Sequence, residues 1–301
     1  MPFLEHTIAS HSVQGNSYAD DTQLQKSSEY GQARELVSDI EACIQDVKSW
    51  MTCNKLKLND GKTEALIISS QRASLPARLP TSLAVGDSTV SFSQTAKNLG
   101  VILDSHLTLN AHVSSVIRAV NHEFRQIGSI RRFLSIEATK TLVSAHILSR
   151  LDYCNGILIN STQDTIQRLQ KLQYNAARLI LRVPRREHMT PHLFKLHWLP
   201  VDARIKYKIA CLSYRAFHGV GPVYLSDLVQ IHVPARVTRS ASDKFTLEPR
   251  RVITKSFGER AFYYAAPEVW NSLPLLIRSI EDESVFRSAL KTHLFRKAYN
   301  L

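Results

Sequence analysis

No two of the four cysteines in this 301-residue chain form a C-x2-C pair. Cys43, Cys53, Cys154 and Cys211 stand far apart, so the spacing gives no support for a structural zinc knuckle. Lone thiols on apolar faces read as reduced and intracellular, in the nucleus or the cytoplasm. The opening Met1-Pro2-Phe3-Leu4-Glu5-His6 lacks a charged n-region followed by a long apolar run. A signal peptide is therefore not expected, nor is secretion. No apolar run approaches a membrane span in length, so no membrane partner is expected. The last third of the chain shows no nucleophile beside a base in an arrangement that points to covalent catalysis.

What the chain does have is ordinary globular composition, with 44% apolar residues, and enough length for two domains. Its net charge of +12 is unevenly spread. Residues 1–60 carry five Lys/Arg against nine Asp/Glu, whereas residues 118–208 carry sixteen against six. An acidic segment followed by a basic one fits a metal site next to a polyanion track. It fits equally a basic protein whose Arg and Lys are solvated on helix faces.

The stretch Ser17-Tyr18-Ala19-Asp20-Asp21-Thr22-Gln23-Leu24 is the focus of the chain. Adjacent carboxylates are costly in a packed core but suit a tight turn, where Asp tolerates unusual backbone angles. A strand over Val13–Tyr18 and a returning strand from Thr22 would hold Asp20 and Asp21 at a hairpin tip. Carboxylates placed there are hard oxygen ligands of the kind Mg²⁺ takes. The bland alternative is a solvated surface turn.

Helical spacing runs from Ala33 to Met51, with Leu36, Ile40, Cys43, Ile44, Val47, Trp50 and Met51 on one stripe. Asn54–Asn59 alternates, Asp60-Gly61 is a hairpin signal, and Lys62–Ile68 is the expected returning strand. Leu83–Phe92 reads as a second hairpin bent at Gly86-Asp87, and Ala96–Asp104 as a buried strand in which Gly100 allows a bulge or a close approach. From Asn110 the period turns helical. Helices are expected from Asn110 to about Ile127, over Glu137–Leu151 with His146 inward, over Asp164–Leu181, and over Asp202–Phe217 closed by Gly219. A last helix is expected over Glu283–Lys297 with Val285, Phe286, Leu290 and Leu294 inward. Arg118, Arg125, Arg131 and Arg132 are placed off the first stripe, and all four helices are expected to turn Arg and Lys outward as a bundle.

Tyr-Ala-Asp-Asp with Thr-Gln-Leu after it resembles the catalytic box of reverse transcriptases of non-LTR retrotransposons (LINE elements). The resemblance continues in order through Asn54-Lys55-Leu56-Lys57-Leu58-Asn59 with Lys62-Thr63-Glu64, through Leu99-Gly100-Val101-Ile102-Leu103-Asp104, and through Thr190–Val201 and Ala266–Pro274. The last two look like the carboxy-terminal region of jockey-, CR1- and L2-like retroelement polyproteins. The resemblance implies an α+β fold: the end of a polymerase palm (antiparallel hairpins plus one helix) over 1–105, a helical thumb-like basic region over 106–230, and a tail module over 231–301. It implies RNA-directed DNA polymerase chemistry in the full-length enzyme, a nucleotidyl transfer using two Mg²⁺ or Mn²⁺ ions, with an RNA template and a DNA primer as partners and no small-molecule cofactor beyond nucleotides. By that resemblance Asp20 and Asp21 are the metal-binding catalytic carboxylates, Tyr18 lies near nucleotide or primer, Lys62 near phosphates, and Leu99 with Gly100 in a primer-grip-like turn. Arg118, Arg125, Arg131, Arg132, Arg178 and Arg182 are the expected nucleic-acid contacts, made to phosphate and so without a sequence code.

A site of this type also needs an Asp from an earlier palm strand, together with fingers. Seventeen residues precede Tyr18 and none is Asp. The expectation is a truncated polymerase, silent as this chain. The alternatives are a non-catalytic nucleic-acid-binding fragment and a functionless relic. His188, His192 and His197 suggest a metal, but no Cys or carboxylate completes a set at recognisable spacing. Tyr263, Tyr264 and Trp270 suggest base stacking, against which hydrophobic packing is the simpler reading.

Overall fold

The computed structural model describes residues 2–29, 32–70, 80–233, 245–252 and 258–301. The chain is a mixed α+β protein with small sheets, in two compact units, Met1–Thr108 and Leu109–Leu301.

The first unit begins with α1 (Pro2–Ala9), a helix the sequence did not announce, followed by β1 (Gln14–Tyr18) and β2 (Asp21–Gln25) as an antiparallel hairpin. Gln14-Gly15-Asn16 reads as a poor strand, yet Gly15 is needed there. A Cβ on Gly15 would stand 2.9 Å from both Cδ1 and Cγ2 of Ile8. Next comes α2 (Ala33–Cys53), as its stripe predicts, with Cys43, Ile44 and Val47 buried. Cys43 and Val47 pack with Leu4, Ile8 and Val13; Ile44 packs with Ala65, Leu83 and Val85.

The expected hairpin about Asp60-Gly61 does not form. The end of α2 is wound by Lys55 in the left-handed region (φ +59°), with the Leu56 amide donating back to the Met51 carbonyl at 2.8 Å. Asp60–Lys62 is then a 3-10 turn, and the following strand, β3, is only Ala65–Leu66. β3 pairs in parallel with β5 (Ser88–Ser93) rather than with residues 55–59. The long-range partner overrides the local turn signal. β4 (Ser82–Val85) and β5 form the hairpin expected at Gly86-Asp87, in the order β3-β5-β4. β6 (Thr95–Asn98) and β7 (Val101–Asp104) are a second correction: the single strand expected over Ala96–Asp104 is a two-stranded hairpin.

The second unit is helical: α3 (Asn110–Ile130), a 3-10 turn (Arg131–Phe133), α4 (Ile136–Val143), a π turn (Ser144–Leu148) and α5 (Ser149–Asp152), then α6 (Gln163–Leu181), α7 (Thr190–Lys195), α8 (Val201–Phe217), α9 (Val223–Asp227), α10 (Phe262–Asn271), α11 (Leu275–Arg278) and α12 (Glu283–Tyr299). The π turn resets the helical phase between α4 and α5. It keeps Val143, Ile147 and Leu151 buried but turns His146 to solvent, not inward as the uninterrupted period suggests. In α12 Phe286, Leu290 and Leu294 are buried as expected, while Val285 is exposed. Helices beyond residue 231 share a core with α8. Tyr214 stacks on Phe286 (centroids 4.3 Å apart), Phe217 stacks on Trp270, and Trp270 Nε1 donates to the Phe245 carbonyl at 2.7 Å. The Tyr299 hydroxyl, its pKa pushed up to about 12 chiefly by burial, donates to the Trp198 carbonyl at 2.6 Å. Among the described residues no helix is long and apolar enough to cross a membrane.

Candidate functional site

The β1–β2 hairpin closes on two residues, Ala19 and Asp20, with Tyr18 and Asp21 paired across the turn. Two-residue loops match the twist of the flanking strands only with unusual backbone angles. Here Ala19 supplies one, at φ +53°, an uncommon conformation for a residue with a Cβ. Asp20 lies in the turn. Asp21 is not at the tip as expected but opens β2. Both carboxylates and Tyr18 are exposed, Tyr18 at 69%.

Mg²⁺ takes close to octahedral oxygen coordination from several groups held in place. Among the described residues, no group of three or more His, Cys, Asp or Glu is arranged to hold a metal ion. Two exposed carboxylates, one in the turn and one opening β2, do not by themselves fit a resident Mg²⁺.

The β6–β7 hairpin stands beside this one within the same unit. Asn98 Nδ2 donates to Gln23 Oε1 at 2.8 Å, linking β6 to β2. The β6–β7 turn is Leu99-Gly100, with φ +44° and +84°. Both values being positive, this is the setting in which Gly at the second position relieves strain. Leu99 is 43% exposed on that turn. Lys62, expected on a strand, is an exposed residue of the 3-10 turn.

The six arginines divide. Arg118 and Arg125 are exposed on α3, seven residues apart and so on one side of it. Arg132 is exposed with its guanidinium 4.6 Å from the Phe133 ring centroid. Arg131 is a correction: it is buried, with Nε and Nη2 donating to the carbonyls of Leu179 and Ile180 at 2.7 Å each and Nη1 to Leu134 at 2.9 Å. It satisfies carbonyls at the end of α6 that the helix leaves open. Arg182 Nη2 donates to the Arg131 carbonyl at 3.3 Å, and Arg178 donates to Asn175 and to the Arg185 and Glu187 carbonyls. These three are tied to the protein itself.

The histidines do not converge. His188 lies before α7, which holds His192; His192 Nε2 pairs with Glu187 Oε2 at 2.8 Å, and His197 stacks on Phe295. Trp270 is fully buried, which removes it as a base-stacking residue. Phe133, at 74%, is among the most exposed aromatics of the described residues, and its exposure follows from the helical phase. Continuing the α3 stripe from Val120, Phe124 and Ile127 places position 131 inward and position 133 out of phase.

No family model matches the chain, nor does any curated protein or solved structure.

Proposed function

We propose that this chain is the carboxy-terminal part of a non-LTR retrotransposon reverse transcriptase, with the end of the palm in the first unit and a thumb beginning at α3. On this reading it does not synthesise DNA alone. The observation that carries it is the β1–β2 hairpin, which presents Asp20 to solvent in its two-residue turn and Asp21 at the first position of β2. The supporting observation is the Asn98–Gln23 hydrogen bond, which sets the Leu99-Gly100 turn's hairpin beside the acidic one. In the complete polymerase these carboxylates would contribute part of the metal site that assists phosphoryl transfer. The remaining oxygens are not supplied by the described residues. Primer extension by the purified chain with Mg²⁺ or Mn²⁺ tests this; no template-dependent product is expected, and robust synthesis overturns it.

A second reading, nucleic-acid binding without chemistry, is favoured by the α3 surface. Arg118, Arg125 and Arg132 are exposed at seven-residue intervals, and the one acidic residue of α3, Glu123, is held by Arg150 at 2.9 Å. Filter binding over a salt series tests it. Affinity that falls steeply with salt supports a phosphate track, and no binding at low salt removes it.

A further inference from the structure

The 3-10 turn after α3 is held rigidly and yet exposes apolar surface. Arg131 pins it from inside to Leu179 and Ile180, and the Ser135 hydroxyl caps α4 immediately after it by accepting from the Ala138 amide at 3.1 Å. Between these two anchors Phe133 is 74% exposed, flanked by Ile130 at 45% and Ile136 at 53%. A single exposed apolar side chain needs no explanation, but three within seven residues on a fixed turn form a patch. The Phe133 ring keeps that exposure although Arg132 lies over it at 4.6 Å, so a ring with a cation on one side still has most of its surface in solvent. The patch lies at the end of the row formed by Arg118, His122 and Arg125, which contains no carboxylate.

We propose that Phe133 is a stacking platform for an unpaired base, with Arg132 bracing the ring and Arg118 and Arg125 holding the backbone of the same single strand. Charge complementarity selects a polyanion, and a flat aromatic with most of its surface in solvent selects bases that are out of a duplex. Paired bases in a helix have their faces occupied by their neighbours and offer Phe133 only an edge or a blunt end. This proposal rests on the nucleic-acid reading of α3 and adds which form of nucleic acid the surface prefers.

The test uses the full chain and fluorescence anisotropy with a labelled single-stranded oligonucleotide and the same sequence within a duplex long enough that its ends are a small share of the binding sites. Phe133→Ala is expected to weaken single-strand binding about five- to 150-fold, the range for losing one base stack, while duplex affinity stays within about two-fold. Phe133→Trp retains the single-strand affinity. A 2-aminopurine in the strand is quenched by the wild-type protein and not by Phe133→Ala. Equal losses for both ligands, or no loss, overturn the platform while leaving the phosphate track intact. Loss of single- and double-strand binding together in the Arg118→Ala/Arg125→Ala variant, with quenching at Phe133 lost as a result, is the pattern expected of the shared track. Absence of any binding by wild type overturns both proposals. If Phe133→Ala changes only self-association in sedimentation, the patch is a protein contact and the proposal fails.

Discussion

Gly15 lies directly against Ile8. A Cβ added to Gly15 would sit 2.9 Å from two carbon atoms of the Ile8 side chain, well inside van der Waals contact. In a strand, Gly to Ala ordinarily gains stability because the unfolded chain loses freedom. Here the sign reverses. Gly15→Ala is expected to destabilise the first unit by about 1–3 kcal/mol through overpacking. Hydrogen exchange of the α2 amides measures it, and combining Gly15→Ala with Ile8→Ala should cost less than the sum of the two.

Neighbouring arginines are expected to behave oppositely. Arg131→Ala removes the donor from the buried Ile180 carbonyl and from the half-buried Leu179 and Leu134 carbonyls, and should destabilise the second unit by about 2–3 kcal/mol. Arg132→Ala, at an exposed position, should change stability by less than about 0.5 kcal/mol. Urea unfolding of the two variants compares them. Equal effects would show that the Arg131 hydrogen bonds contribute little.

Ala19 holds a left-handed conformation at the acidic turn. That conformation disfavours a residue with a Cβ by about 1–2 kcal/mol, part of which a glycine recovers. Ala19→Gly should therefore stabilise the β1–β2 hairpin by about 0.5 kcal/mol, read as slower exchange of the Asn16 and Gln23 amides. A loss of protection would mean that the turn has another backbone geometry.

The second unit should weaken in mild acid. Burial holds the pKa values of His112, His218 and His293 below the ordinary imidazole value, assisted at His293 by Lys297 and opposed at His218 by Glu281. The unfolded chain then takes up protons first as pH falls. The stability these groups contribute is fully present above about pH 6.5 and declines as the pH drops toward the depressed folded values. Urea midpoints from about pH 8 to about pH 5 should fall, and His112→Asn should flatten part of that slope. A midpoint independent of pH across that window would contradict it.

Local periodicity announced α2, α6, α8 and α12, because each buries one stripe, and the β4–β5 hairpin, because Gly86-Asp87 turns tightly between alternating strands. It did not announce β3, whose partner β5 lies more than twenty residues away, or the split of Ala96–Asp104 at Leu99-Gly100. The acidic dipeptide was legible as a turn, but its exact register was not: the tip falls on Ala19 and Asp20. Arg131 is buried because its phase on the α3 stripe points inward, which here outweighs the usual preference of a charged side chain for the surface. The link from Gln23 to Asn98 joins positions seventy-five residues apart, and no short-range pattern encodes it.

The internal use of arginine changes what formal charge means for this protein. Arg131, Arg178 and Arg182 donate to carbonyls, while Arg150, Arg204 and Lys206 face Glu123, Asp152 and Asp202. Cations engaged in this way neutralise few phosphates and so displace few of the counterions condensed on a bound polyanion. The number of ions liberated on association should follow the short exposed row on α3, not the sixteen Lys and Arg between residues 118 and 208.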